Sequence, residues 1–325
     1  MEHVPEDYRD DAPDEHGIPP TTYQALERHL PHGVRDGPRD RKLAVMRRIL
    51  HGLHGLHPLS PLNNAVRIYV HGWIHRLSPL HHELYTMDPS AFFIPSFLEA
   101  IRSNSRDGFR SIMTEPTPGL FVFDMLRPAF CQMLAAEADN FLWWAPERKQ
   151  GIIRPTTNDQ YKCSVVLSEF GLETMLSDLM NDFISPIATV LYPELGASSF
   201  DSHHSFVTWF DKGQGEVTGS HVDGSEVTLS ACIRQEFTGG EMYFRGVRCT
   251  DHVHSETHNE ENIVHSQTLG QAMLYRGRHR HGALPTSSGY KTTFEIWCIS
   301  SLFRRMLDYQ TDFTSWCGEC RTENI

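Results

Sequence analysis

The sequence lacks a long apolar run and a basic, apolar N-terminus. No stretch approaches the ~20 consecutive apolar residues of a membrane-spanning helix, so we expect no membrane span. The N-terminal stretch MEHVPEDYRDDAPDEHG is acidic, whereas a secretory signal would be basic and then apolar. These two absences predict an intracellular, cytoplasmic protein.

An excess of positive charge is also lacking. The chain has 29 Lys and Arg against 41 Asp and Glu, a formal net charge of −12. Because non-specific affinity for nucleic acid comes mainly from clustered Lys and Arg, we expect no nucleic-acid partner.

The cysteines do not form a disulfide framework, since there are seven, an odd number scattered through 325 residues. One pair is closely spaced, Cys317-Gly-Glu-Cys320. Such a pair can supply half of a zinc site or act as a redox dithiol. Because no second Cys pair stands nearby in the sequence, we favour a structural role for Cys317 and Cys320.

The chain divides into three predicted regions. Residues 1–20 carry seven acids and little apolar content, which predicts a disordered tail. Residues 21–115 are predicted to be mostly helical and include an amphipathic helix in RKLAVMRRILHGLHGLH, from Arg41. The turn-rich stretch TEPTPG at 114–119 marks the start of a main domain over 116–325.

The periodicity of the apolar residues changes within the main domain. Helical spacing predicts helices in RPAFCQMLAAEADNFLWW and in GLETMLSDLMNDFISPIATVLYP, the second kinked or split at Pro186. From Ser205 the period becomes 2, and short strands follow: SFVTWF, EVTLSACI, GEMYF, QAMLY and KTTFEIWCIS. Helices followed by strands indicate an α+β fold with a β-sandwich or barrel.

The stretch GSHVDGSEVTLSACI contains the tripeptide His221-Val222-Asp223. With 20 His and 19 Asp in 325 residues, roughly one His-x-Asp is expected by chance, so the tripeptide alone is weak. However, side chains at i and i+2 on an extended backbone point to the same face, so His221 and Asp223 can reach one metal. They stand just before a predicted strand, at the mouth of the β-structure.

A 2-His-1-carboxylate triad needs one more histidine. RGRHRHGA offers His279 and His281, and because they are two apart on a predicted strand, the spacing permits either. Lys291 stands ten residues after His281 and opens the last strand. A cation there could pair with the far carboxylate of a keto-acid co-substrate.

At these motifs the sequence resembles the Fe(II)/2-oxoglutarate dioxygenases of the prolyl and lysyl hydroxylase type. The resemblance rests on the His-x-Asp, on GGEMYF at 239–244, on GQAMLYRGRHRHGA at 270–283 and on Lys291. Within that superfamily it is most similar to the 2-oxoglutarate and iron-dependent oxygenase domain-containing proteins of plants and animals, from near Gly119 to Arg321. The resemblance implies a double-stranded β-helix, or jelly-roll, core backed by helices.

The resemblance also implies roles for particular residues. His221, Asp223 and His281 would bind Fe(II), and Lys291 would pair with 2-oxoglutarate. In TWFDKG, where relatives often have a tyrosine that contacts the co-substrate, Trp209 and Phe210 stand instead. L-Ascorbate is an expected reductant.

The expected reaction is hydroxylation of an unactivated C–H bond, with succinate and CO₂ as co-products. The substrate would be a small molecule or a peptidyl side chain, such as prolyl or lysyl. The alternative is a catalytically impaired jelly-roll that acts as a binding or scaffold protein. The polar segment at 252–267 is expected to be a mobile, substrate-facing loop or a tolerated insertion.

Overall fold

The computed structural model describes residues 79–144, 164–195, 199–211, 220–234, 236–306 and 317–323, together with residues 6, 27, 38–43 and 46. The chain forms two compact units. The first comprises Met1–Ser78 with Gly151–Thr157, and the second comprises Pro79–Gln150 with Asn158–Ile325. Residues 79–115, which the sequence assigned to the N-terminal region, fall in the second compact unit. The start of the main domain at residue 116 stays a prediction.

In the first unit, residues 39–43 and 46 are helical, in agreement with part of the helix predicted from Arg41. The rest of that helix lies outside the described residues. The buried Lys42 ammonium donates to Glu27 Oε1 at 2.7 Å and also to Glu6. Glu6, within the predicted tail, therefore has a defined partner; the other residues of 1–20 lie outside the described part.

The second unit contains eleven strands within the described residues. They are β1 (Thr114–Thr117), β2 (Leu120–Asp124), β3 (Ser164–Val166), β4 (Ser202–Asp211), β5 (Val227–Cys232), β6 (Phe237–Gly239), β7 (Met242–Val247), β8 (Asn262–His265), β9 (Gln271–Arg276), β10 (His279–Ala283) and β11 (Thr286–Ile299).

Eight α-helices accompany the strands in the described part of this unit. They are α1 (Pro89–Phe92), α2 (Pro95–Ser103), α3 (Arg106–Ile112), α4 (Pro128–Trp144), α5 (Glu173–Asp178), α6 (Ser185–Leu191), α7 (Ser301–Met306) and α8 (Gly318–Glu323). Short 3-10 turns occupy His82–Tyr85, Leu167–Phe170, Pro193–Leu195 and Asn259–Glu261, and a π-helical turn spans Leu179–Ile184. No described helix is long and apolar enough to cross a membrane.

The strands build two antiparallel sheets. The larger sheet has the order β1-β2-β9-β5-β11-β4-β3, with β6 added along β11. The smaller sheet has the order β10-β7-β8. Neighbours that are distant in sequence, such as β2 beside β9 and β5 beside β11, give the interleaved connectivity of a double-stranded β-helix. The α+β jelly-roll fold predicted from the sequence is confirmed.

The hydrophobic core lies between the sheets and beneath the helices. Between the sheets, Val122 and Met273 of the larger sheet pack with Phe244 of the smaller one. The opposite face of the larger sheet is covered by helices, where Phe97 of α2 stacks on Phe123 with ring centroids 5.9 Å apart. Burial on both faces explains why β5 is buried at every position.

Three predictions of local structure differ in detail from the observed elements. The helix predicted around Pro186 is divided, with a π-helical turn at Leu179–Ile184 ahead of α6. TEPTPG is not only a turn, since Thr114–Thr117 pairs with β2 as a hairpin. Nor is 252–267 an open loop throughout, because Asn262–His265 forms β8 and completes the smaller sheet.

Candidate active site

The segment that precedes β5 is joined to β10 by a backbone bridge between His221 and His281. The amide of His221 donates to the carbonyl of His281 at 3.0 Å, and the amide of His281 donates back at 2.9 Å. The imidazole centroids lie 4.4 Å apart. Residues distant in sequence thereby present their rings together.

Asp223 reaches the same point because its backbone is tied to the turn after β9. Its amide donates to the carbonyl of Gly277 at 2.8 Å, and its Oδ2 accepts a 2.6 Å hydrogen bond from Thr228 Oγ1. The other carboxylate oxygen, Oδ1, is buried and accepts no hydrogen bond from the described residues. Oδ1 lies 3.8 Å from His221 Nε2 and 3.5 Å from His281 Nε2.

These three side chains could hold a metal ion such as iron. Two atoms can bind one cation only if their separation is below about twice a metal–ligand distance of ~2.1 Å, or about 4.2 Å. Both carboxylate–imidazole distances meet this limit. A buried carboxylate oxygen without a hydrogen bond is costly unless a cation compensates it. Burial raises the pKa of Asp223 to about 6, although His221, Thr228 and Tyr275 oppose the shift.

His281 has the tautomer that a metal ligand requires. Its Nδ1 lies 2.8 Å from the carbonyl of His279, so Nδ1 carries the proton and the lone pair of Nε2 faces Asp223. Burial lowers the pKa of His281 to about 4, which keeps the ring neutral.

Of the two histidines that the spacing left open, His281 joins the cluster of potential ligands and His279 does not. The strand-pairing register shifts between these two residues, so simple alternation along β10 fails there. His279 instead packs edge-on against Phe244, at 5.1 Å between centroids.

Lys291 is fully buried on the inner face of β11. Its ammonium donates to the carbonyl of Gly240 at 2.9 Å and lies 6.0 Å from the centroid of the Phe210 ring. Burial lowers its pKa to about 8, a shift that nearby Cys232 and Glu295 oppose. The structure thus provides a buried cation that has a carbonyl partner and a nearby aromatic wall.

The structure separates the two aromatic residues predicted beside the co-substrate. Phe210 pairs with Lys291 across β4 and β11 and packs against the core between the sheets. Trp209 points to the other face, because neighbouring strand residues alternate, and its indole donates to Asp139 of α4 at 3.1 Å. Phe210 thus lies beside Lys291 and Trp209 on the opposite face of the sheet, and contact of either residue with the co-substrate stays a prediction.

Sequence reasoning missed a tyrosine in this site. The hydroxyl of Tyr275, which is fully buried on β9, lies 3.3 Å from His281 Nε2. The resemblance directed attention to a tyrosine on the strand before His-x-Asp, whereas this phenol comes from a later strand. The register of Tyr275 opposite Thr228 places it beside the carboxylate.

A buried carboxyl was missed as well. Lys291, Thr293 and Glu295 are alternate residues of β11, so the Glu295 side chain lies on the same face as Lys291. Burial, followed by the charge of Asp223, raises the pKa of Glu295 to about 8. Only the pairing of β11 with β5, not a sequence motif, brings it into this pocket.

Comparisons with known proteins identify the family of the chain. The model of the OGFOD2-like domain matches residues 74–197. The 2-oxoglutarate and iron-dependent oxygenase domain-containing protein CP2 of Arabidopsis thaliana is 44% identical over 324 residues, which cover 99% of this chain and 80% of that protein. The chain belongs to this oxygenase-domain family.

A second family member, ICU11 of Arabidopsis thaliana, is 43% identical over 327 residues, again covering 99% of this chain and 80% of that protein. Among solved structures, a Trichoplax adhaerens prolyl hydroxylase in complex with a hypoxia inducible factor peptide aligns with a TM-score of 0.44 and 11% identity. That alignment covers 68% of this chain and 98% of the hydroxylase chain.

Proposed function

We propose that this member of the oxygenase-domain family is an Fe(II)- and 2-oxoglutarate-dependent dioxygenase that hydroxylates a C–H bond. The observation that carries the proposal is the convergence of His221, Asp223 and His281 around a buried carboxylate oxygen that lacks a hydrogen bond within the described residues. Three protein ligands on one side leave positions open for co-substrate and oxygen, the arrangement of non-haem iron oxygenases.

Each chain residue has a distinct task in this proposal. His221, Asp223 and His281 would hold Fe(II), and Thr228 would fix the carboxylate through its 2.6 Å hydrogen bond. Fe(II) held by these residues would supply the oxidative chemistry by which a substrate C–H bond, 2-oxoglutarate and O₂ are converted to the hydroxylated product, succinate and CO₂.

The second binding group for 2-oxoglutarate is Lys291. Its ammonium is fully buried and bonded to a carbonyl oxygen, with no carboxylate hydrogen-bonded to it in the described part of the chain. An ion pair with the distal carboxylate of 2-oxoglutarate would offset the cost of this burial. The Phe210 ring provides an apolar wall near it, and the Tyr275 phenol offers a hydrogen bond close to the metal ligands.

The proposed substrate is a prolyl, lysyl or free amino-acid-like side chain. This class rests on the sequence resemblance to prolyl and lysyl hydroxylases. The fold does not supply it, because pocket loops rather than the fold set specificity. The use of L-ascorbate and a location inside the cell stay predictions.

The proposal is tested with purified protein freed of metal. Fe(II) and then 2-oxoglutarate are added without oxygen, and the visible charge-transfer band of a chelated keto acid is recorded. We expect a band in the wild type, no band in His221→Ala, and a band in Lys291→Ala only at higher 2-oxoglutarate concentration. A wild type that binds both partners separately without a band would contradict an oxygenase and favour a binding protein with a jelly-roll fold.

A further inference from the structure

A second cluster of metal-ligating side chains shares no residue with the proposed iron site. It comprises Cys249, His252, Cys317 and Cys320, whose ligand atoms all lie within 4.8 Å of one another. The three cysteines are buried, at 3%, 0% and 7% exposure, and pack together. We propose that these four residues form a structural zinc site.

The distances in the cluster match tetrahedral zinc. With Zn–S of about 2.3 Å and Zn–N of about 2.0–2.1 Å, a tetrahedral ion separates two sulfurs by about 3.8 Å and a sulfur from a nitrogen by about 3.5 Å. Here Cys249 Sγ lies 3.8 Å from Cys320 Sγ. His252 Nδ1 lies 3.3 Å from the sulfurs of Cys249 and Cys320 and 3.5 Å from that of Cys317.

The geometry does not fit a disulfide or a simple apolar cluster. A disulfide would place two sulfurs about 2.05 Å apart, far below the 3.8 Å between Cys249 and Cys320. Cys249, Cys317 and Cys320 are not part of any disulfide. Apolar packing does not require an imidazole nitrogen that points at three sulfurs, whereas a Cys₃His zinc site has such a nitrogen as its fourth ligand.

The ligand spacing is that of two paired zinc-binding segments. Cys249 and His252 are separated by two residues, as are Cys317 and Cys320, so each segment can place two ligands on one ion. Sequence reasoning considered only the second segment. It sought another Cys pair nearby and overlooked a Cys-x-x-His that stands 65 residues before Cys317 (317 − 252).

The surroundings suit the charge of such a site. Zinc with three thiolates and a neutral imidazole carries a net charge of −1. Arg248, which is fully buried and precedes the first ligand, bonds to Glu261 at 2.6 and 2.7 Å and contacts Glu319 at 3.3 Å. The side chain of Arg278 donates to the carbonyl of Arg248 at 3.1 Å. Both guanidiniums interact favourably with Cys317 if it is a thiolate.

Four protein ligands leave no open position, which marks the site as structural rather than catalytic. An ion here would fasten α8 to the backbone that follows β7. Because β7 pairs with β10, the strand that carries His281, the zinc would brace the smaller sheet.

The test uses full-length protein purified without added metal or chelator, with zinc quantified by mass spectrometry. We expect about one zinc per chain in the wild type, in Cys131→Ala, which removes a buried thiol of α4, and in His221→Ala. Zinc should fall to below about a tenth per chain in the double variant Cys317→Ser/Cys320→Ser. X-ray absorption at the zinc edge of the wild type should show three sulfurs at about 2.3 Å and one nitrogen.

The absorption spectrum keeps the test decisive even if the double variant does not fold. A wild type without zinc, or one with a Cys317–Cys320 disulfide, would overturn the proposal. So would zinc that is lost in His221→Ala and surrounded by nitrogen and oxygen, since it would then occupy the proposed iron site.

Discussion

His221, in the segment that precedes β5, and His281 of β10 exchange two backbone hydrogen bonds, of 3.0 and 2.9 Å. This isolated bridge fixes the relative position of two proposed ligands through the main chain rather than through their side chains. The imidazoles are therefore pre-positioned, and substitutions of neighbouring side chains can test the metal and co-substrate contacts without moving this frame.

Thr228→Val should weaken iron binding. The substitution removes the 2.6 Å hydrogen bond to Asp223 Oδ2 while keeping the side-chain volume. Loss of a residue that orients a metal ligand costs about 10–100-fold in metal affinity. The affinity for Fe(II) is measured without oxygen by competition with a coloured chelator.

The matched control is Thr292→Val on β11. Thr292 is also buried, but its Oγ1 has no hydrogen-bond partner within the described residues, so iron affinity should stay at the wild-type value. Equal weakening by both variants would show that Thr228 acts through general packing.

Gly240→Ala should weaken 2-oxoglutarate binding by about tenfold, which corresponds to about 1.4 kcal/mol. Gly240 has a φ of +69°, and an added Cβ would lie 3.2 Å from Lys291 Cδ. The lysine would be displaced from its 2.9 Å bond to the Gly240 carbonyl. The effect is measured as the 2-oxoglutarate concentration that gives half of the maximal intensity of the charge-transfer band.

Gly171→Ala is the control for the effect of backbone strain alone. Gly171 also has a positive φ, +94°, but its nearest contact is the ring of Tyr85. Both variants should lower stability, because alanine is strained at such angles. Only Gly240→Ala should change 2-oxoglutarate affinity; a similar change in both would refute a local effect on Lys291.

Much of the fold could be predicted from the sequence because apolar periodicity reports directly on buried faces. β4, β5, β7, β9 and the C-terminal part of β11 were found this way, as was α4. β1 was missed because Thr114–Thr117 is short, exposed and contains a proline, features that indicate a turn. β8 was missed because it is only four residues long and lies in an otherwise polar stretch, with every residue at least partly exposed.

The candidate site was only partly predictable. His-x-Asp and Lys291 stand in local patterns, so spacing and resemblance could point to them. Tyr275 and Glu295 reach the pocket only through strand register, which a single sequence does not specify. His279 and His281 are two residues apart, so spacing on a regular strand does not distinguish them as ligands. The register shift between them leaves only His281 in the cluster of potential ligands.

Tyr275→Phe should weaken 2-oxoglutarate binding more strongly than it weakens iron binding. The phenol lies 3.3 Å from His281 Nε2, but in the proposal it contributes a hydrogen bond to the bound keto acid rather than a metal contact. A hydrogen bond to a charged group contributes about 1.5–3 kcal/mol, so the affinity should fall about tenfold or more. Anaerobic calorimetry with Mn(II) in place of iron measures both affinities.

Tyr243→Phe serves as the control for loss of a phenol. Tyr243 lies on β7, but its side chain alternates away from that of Phe244, which packs in the core between the sheets. Wild-type affinities are expected. If Tyr275→Phe instead abolished metal binding, Tyr275 would have to be assigned to the metal ligands.

The affinity for 2-oxoglutarate should fall as the pH rises through about 8. Burial lowers the pKa of Lys291 to about 8, and burial with the charge of Asp223 raises that of Glu295 to about 8. Below this pH the lysine is charged and the glutamate is neutral, so the pair carries +1. Loss of one proton from either group brings the pair to zero and weakens the attraction for the distal carboxylate of 2-oxoglutarate.

For a single proton, the dissociation constant should rise by at most about tenfold per pH unit above the midpoint. Calorimetry with Mn(II) between pH 7 and about 9 measures this slope. Lys291→Met should bind weakly at every pH and show no midpoint near 8. Glu295→Gln should move the midpoint to lower pH, because the negative charge of Glu295 raises the pKa of Lys291. A wild-type affinity that is flat across this range, or a slope that persists in Lys291→Met, would remove Lys291 from the proposed co-substrate contact.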